Sequence, residues 1–158
     1  MELNPGWEYV ADGVMGGVST GGMQQEMFRG RMATVLRGGV SLENNGGFVQ
    51  IAFDLRQDGA GFDASDWDGI ELETCGNGER YDIRLRTDQL TQPWQSFRSD
   101  FIASPVWRSL RVAFDAIEAR KTDACFDPAH LRRIGILAIG REFQAEVAVA
   151  NVSLYRSV

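Results

Sequence analysis

The segment Gly17-Val18-Ser19-Thr20-Gly21 has the G-x-S-x-G spacing of a serine-hydrolase nucleophile, and Asp residues followed by the sole histidine, His130, stand in the matching chain order. That chemistry needs a core strand before the serine and a helix after it. Only 16 residues precede Gly17 and a short strand pattern follows, so the match reads as accidental and His130 as a capping or solvent-facing residue. A second chemistry is cation binding by Asp58, Asp63, Asp66 and Asp68, but Asp66-Trp67-Asp68-Gly69 places its glycine two positions early for an EF-hand loop. A solvated acidic loop is the expectation, with no metal. Cys75, Cys125 and His130 are too few and too scattered for zinc, and the two thiols read as reduced core or surface residues. No catalytic residue and no cofactor is assigned.

The remaining candidates bind and do not react. Arg84 and Arg86 alternate outward on a strand pattern, with Trp94 beyond them after Pro93, a grouping suited to a surface contact. The competing reading spends both arginines on Glu71 and Glu73 of an adjacent strand. Two glycine-doublet segments complete the set: Asp12-Gly13-Val14-Met15-Gly16-Gly17-Val18-Ser19 and Glu43-Asn44-Asn45-Gly46-Gly47-Phe48. Paired glycines beside short polar residues allow positive φ and close backbone approach, so these are shaped loops. They lack the lysine of a P-loop and the G-x-G-x-x-G of a dinucleotide fold. The candidate binding face therefore comprises Asp12, Met15, Gly16, Gly17, Ser19, Glu43, Asn44, Asn45, Gly46, Gly47, Arg84, Arg86 and Trp94.

Short strands must position these loops. Period-two alternation runs through Val49, Ile51 and Phe53; Ile70, Leu72 and Thr74; Tyr81, Ile83 and Leu85; Leu110, Val112 and Phe114; Phe143 to Val149; and Val152 with Leu154. Turn signals fall at Gly76-Asn77-Gly78, Thr91-Gln92-Pro93 and Ser104-Pro105, and Arg56 to Asp66 reads as a long loop. Eleven of 18 glycines lie in the first 47 residues, which predicts a front half of tight turns and bulges. Helical signal is confined to a turn or two over Asp115 to Lys121 and to Asp127-Pro128 capping Ala129 to Arg133. Trp67 and Trp107 are assigned to the core. The pattern predicts an all-β fold of antiparallel strands with one or two short helices, a two-sheet sandwich or jelly roll.

Composition bounds the function. The 158 residues predict a single domain, 1–158, and no apolar run approaches the ~20 residues of a membrane helix. The net charge of −6 is concentrated between Asp54 and Asp88, where ten carboxylates face four arginines. That sign disfavours nucleic acid as a partner. Fifteen of the 16 cationic residues are arginine, suited to forked pairing with carboxylates. The N-terminus has neither a secretory nor a mitochondrial leader pattern, which predicts a cytoplasmic chain.

The two glycine segments, with Phe28-Arg29-Gly30, Ser41-Leu42, Trp67-Asp68-Gly69-Ile70, Gly76-Asn77-Gly78-Glu79-Arg80-Tyr81, Leu85-Arg86-Thr87 and Ile134-Gly135-Ile136, resemble the complex I intermediate-associated protein 30 family. The resemblance runs from Trp7 to Tyr155. It implies a galactose-binding-like β-sandwich and a non-catalytic, chaperone-like interaction protein in assembly of NADH:ubiquinone oxidoreductase. Its partners would be complex I subunits or assembly intermediates, reached at the inner membrane through protein contact without insertion. The missing presequence marks this chain as resembling a compact bacterial form. The alternative, from fold analogy, is a carbohydrate- or small-ligand-binding sandwich module with a glycan as ligand.

Overall fold

The computed structural model describes residues 1–157, apart from the side chains of Val14, Met15 and Asn45. Eleven strands form two antiparallel sheets. They are β1 (Glu8–Ala11), β2 (Thr20–Phe28), β3 (Arg31–Val40), β4 (Phe48–Asp54), β5 (Gly69–Gly76), β6 (Arg80–Thr87), β7 (Ser96–Ile102), β8 (Arg108–Ala113), β9 (Glu118–Arg120), β10 (Leu131–Ile139) and β11 (Phe143–Tyr155). The six-stranded sheet has the order β1-β4-β10-β6-β7-β9 and the five-stranded sheet β2-β3-β11-β5-β8. The all-β, two-sheet sandwich expected from alternation is the fold observed, and it agrees with the galactose-binding-like sandwich that the family resemblance implies.

Every alternation read from the sequence lies on one of these strands, except that Phe114 falls just past the end of β8. Ile51, Phe53, Ile70, Leu72, Ile83, Leu85, Val147 and Val149 all enter the main core between the sheets. The segments around Val147 and Val152 form one strand, β11, interrupted by a bulge between Val149 and Val152. Trp7 belongs to this core and meets Phe53 edge-on at 4.7 Å. Trp67 packs against it as a partly buried side chain. Trp107 differs from expectation: it covers a second cluster of Phe28, Ala33, Val35, Cys75 and Ala148, and its Nε1 donates to the Phe28 carbonyl at 3.1 Å. Both cysteines are free, Cys75 buried and Cys125 exposed.

Two helical expectations are corrected. Asp127 does cap a turn, its carboxylate accepting from Ala129 N at 3.0 Å, but the turn ends at His130 and Leu131 to Arg133 belong to β10. The ladder with β4 and β6 wins because Leu131, Ile134, Ile136, Leu137 and Ala138 are all buried there. Likewise Phe114–Ala116 is a single 3-10 turn, followed by the edge strand β9. No helix among the described residues is long and apolar enough to cross a membrane.

Candidate interaction site

The first glycine segment begins where β1 ends. A 3-10 turn over Asp12–Met15 closes on Gly16, whose φ of 86° is left-handed and suits only glycine without strain. The chain then passes directly over Asp12, with Gly17 N donating to the Asp12 carbonyl at 2.9 Å. The second segment forms a 3-10 turn over Glu43–Asn45, with Asn44 at φ 56°, and opens into β4 through Gly47 at φ 139°.

Asp12 joins the two loops. Its side chain is fully buried (0% exposed) and accepts from Gly47 N at 2.6 Å, Phe48 N at 3.2 Å, Ser19 N at 3.0 Å and Ser19 Oγ at 2.5 Å. Ser19 Oγ in turn accepts from Ser41 N at 2.8 Å. Burial alone would push the Asp12 carboxyl up; the donors from Ser19, Gly47 and Phe48 outweigh it and hold the group below the usual carboxylate range. Its own burial, and then the Asp12 charge, raise the Tyr9 phenol. There is no room for side chains inside this knot. A Cβ on Gly17 would stand 2.7 Å from Asp12 Oδ1, and one on Gly46 would stand 2.5 Å from Asp12 Oδ2 and 2.9 Å from Gly17 Cα. Gly46→Ala is therefore expected to destabilise the chain by about 2–3 kcal/mol, the upper part of the overpacking range, and a calorimetric melt of the variant checks this.

The knot also takes up the serine of the G-x-S-x-G string. Ser19 Oγ donates a hydrogen bond to Asp12 Oδ2, and the chain leads from it into β2, not into a helix. His130 is bound elsewhere, its Nδ1 2.9 Å from Asp88 Oδ1. The acidic loop is similarly self-contained: Asp58 binds Arg56 and Ala60 N, Asp63 binds Ser65, and Asp68 accepts from Ser157 N. Among the described residues, no group of three or more His, Cys, Asp or Glu is placed to hold a metal.

Arg84 and Arg86 do not reach Glu71 and Glu73, which lie in the opposite sheet and bind Arg111, Ser109, Arg31 and Asn151. Arg84 instead binds Asp82 through Nε at 2.9 Å and Nη2 at 2.7 Å, and Ser96 Oγ through Nη1 at 3.2 Å. Asp82 is shared with Arg98, whose Nη2 donates at 2.9 Å. Arg86 Nη1 donates to the carbonyls of Gln92 at 3.0 Å, Pro93 at 3.1 Å and Gln95. It thereby staples the loop that presents Trp94, which is 61% exposed.

The candidate residues thus fall into two groups. Phe48, bound to Asp12, opens β4, whereas Asp54 closes it in register with Arg133 and, through β10, with Arg86. Six strand steps separate the groups by about 20 Å. Within the first group Asp12, Gly17, Ser19, Gly46 and Gly47 hold the knot, while Gly16, Glu43 and Asn44 face solvent. Met15 and Asn45 have side chains outside the described residues. Two open hollows, unforeseen from the sequence, flank the start of β2. One of about 560 Å³ lies over Gly22, Gln24, Arg37, Gly39 and Gln144, and one of about 630 Å³ is lined by Tyr9, Val10, Gly13, Ser19 and Thr20. They depend on the β2–β3 hairpin, whose polar, glycine-rich strands carry little alternation.

Two antiparallel sheets packed face to face, with two glycine-shaped loops tied together at one rim, define a β-sandwich of the jelly-roll kind. The chain belongs to the complex I intermediate-associated protein 30 family, which it matches over residues 2–148. No curated protein matches it. Among solved structures it is similar to a family 11 carbohydrate-binding module from Clostridium thermocellum in complex with a β-1,3-1,4-mixed-linked tetrasaccharide. The identity is 13%, coverage is 99% of this chain and 95% of that one, and the TM-score is 0.75. A family 30 module of a cellulosomal cellulase from the same organism matches at 13% identity, 85% and 82% coverage and a TM-score of 0.62. An agarase contains a similar domain, at 10% identity over 96% of this chain but 24% of that one, with a TM-score of 0.64. At these identities the likeness is one of architecture.

Proposed function

We propose that this chain is a non-catalytic interaction protein acting in assembly of NADH:ubiquinone oxidoreductase, with complex I subunits or assembly intermediates as partners. The observation that carries the reading is the family match over residues 2–148. Its chemistry is supported by the Asp12 knot, which consumes Ser19 internally and leaves a rigid rim with Gly16, Glu43 and Asn44 outward beside the hollows along β2. A rim shaped before contact loses little entropy on binding, which suits docking onto another macromolecule. The protein would work at the membrane periphery through its partner.

A carbohydrate-binding role is the second reading, favoured by the shared architecture and by the exposed ring of Trp94. One experiment separates the two. The tagged chain is crosslinked in native membranes and also passed over immobilised mixed-linked β-glucan. Complex I subunits are expected among the crosslinked products; recovery of none of them, with saturable retention on the glucan, would replace the first reading by the second.

A further inference from the structure

At the end of the six-stranded sheet away from the Asp12 knot, three arginines stand side by side in the ladder. Arg133 stands opposite Arg86 in the β10–β6 ladder, and the register slips between Leu131 and Arg133, so Arg132 occupies a bulge beside the same pair. Like charges directly opposite one another weaken a ladder unless something offsets them. Arg133 is offset, donating to Asp54 Oδ1 at 3.0 Å and Glu8 Oε1 at 2.6 Å. Arg86 and Arg132 have no carboxylate partner among the described residues. The Nη1 of Arg86 is spent on backbone carbonyls, and the Nε of Arg132 is buried with no hydrogen-bond partner.

The surrounding charges do not close the gap. Arg56 and Asp58 pair with each other at 2.7 Å, and Asp88 is taken by His130 at 2.9 Å. Asp54 borders Gly59, as Arg132 does, but is engaged by Arg133. Burial, and then the charges of Arg132 and Arg133, push the Arg86 guanidinium down from its usual value. The three arginines therefore outnumber the two carboxylates, Asp54 and Glu8, that Arg133 holds, leaving one positive charge in excess on a chain whose net charge is −6. Burial closes the Arg132 Nε to solvent, but its Nη groups have no hydrogen-bond partner among the described residues, and a planar guanidinium edge matches an oxyanion in shape.

We propose that Arg86 and Arg132, with the adjoining Trp94 loop, form an oxyanion site that takes a carboxylate from an acidic segment of a protein partner. The single unbalanced charge suits a monoanionic side chain better than a phosphate dianion. Trp94, its loop held by the same Arg86, offers an apolar anchor for a neighbouring side chain of that segment. The inference rests on the reading above only in taking the occupant to be a protein.

The test is a titration of the full chain with polyglutamate peptide, polyglutamine of equal length, inorganic phosphate and an oligoglucuronate, followed through the arginine Nε–H resonances. Polyglutamate is expected to bind saturably and shift the Arg132 Nε–H, and polyglutamine to do neither. Arg132→Gln should weaken binding about tenfold or more. Asp54→Asn, which leaves Arg133 with Glu8 alone and removes one of the two local carboxylates, should strengthen it and keeps the proposal testable if the first variant does not fold. Equal affinity of wild type and Arg132→Gln, an unmoved Arg132 resonance, or no gain with Asp54→Asn would overturn the site. Tighter binding of phosphate or oligoglucuronate than of polyglutamate would overturn the assignment to an acidic protein segment. These outcomes are independent of whether complex I subunits are recovered from membranes, so the two readings can fail separately.

Discussion

Asp12→Asn is expected to lower stability at neutral pH by about 3 kcal/mol, the largest effect of any single isosteric change in the first group. The carboxylate accepts four hydrogen bonds in a site closed to water. Asparagine retains one acceptor oxygen and turns an amide donor toward groups that are themselves donors. Backbone N–H groups of Gly47, Phe48 and Ser19 then lose a charged acceptor, at ~1–3 kcal/mol for each one left unsatisfied, with partial relaxation. For a chain of this length the melting temperature should fall by about 6–12 °C. The pH dependence follows from the lowered carboxyl. Because the folded-state value lies below that of the unfolded chain, near 4, the contribution is complete above that pH and is lost as pH falls through the folded value. Denaturant titrations of wild type and variant should accordingly differ fully at pH 7 and converge in strong acid. A constant difference at all pH values would show that the charge of Asp12 does not hold the loops together.

Asp82→Ala is expected to cost about 3–4 kcal/mol. Asp82 sits buried between two arginines on the outer face of the six-stranded sheet and accepts from both. Burial raises its carboxyl, and Arg98 and Arg84 lower it further, leaving it below the usual range. Without it, Arg98 retains Asp100 at 3.3 Å, but Arg84 keeps only Ser96. The loss should therefore fall mainly on Arg84. A second substitution, Arg84→Met, made in the Asp82→Ala background, should recover about 1–2 kcal/mol by removing the stranded charge. Chemical denaturation of the single and double variants measures this coupling, and no recovery in the double variant would place the cost elsewhere.

How much of this was legible in the sequence varied with the kind of interaction. Strands covered on one face announced themselves: Tyr81, Ile83 and Leu85 alternate with Asp82, Arg84 and Arg86, and β6 follows that pattern. β10 was hidden because Ile136, Leu137 and Ala138 are all buried, which erases the period of two. β2 and β3 were hidden for the opposite reason, since Gly21, Gly22, Gly38 and Gly39 leave no side chains to alternate. In the candidate site, local chemistry was readable and partnership was not. Nothing between Asp12 and Gly47 says that one carboxylate will cap the other loop, because that contact spans 35 residues. Arg84 and Arg86 looked available to Glu71 and Glu73 until the two strands fell into different sheets.

The amino-acid order alone therefore determined the all-β class, the sandwich and the shaped character of both glycine loops, since periodicity and positive φ are properties of neighbouring residues. Which carboxylate each arginine meets, that Ser19 is spent inside the rim, and that Arg86 and Arg132 converge were decided only by the packing of strands distant in sequence. Electrostatic and hydrogen-bond partners are chosen by distance in space, and sheet order sets that distance.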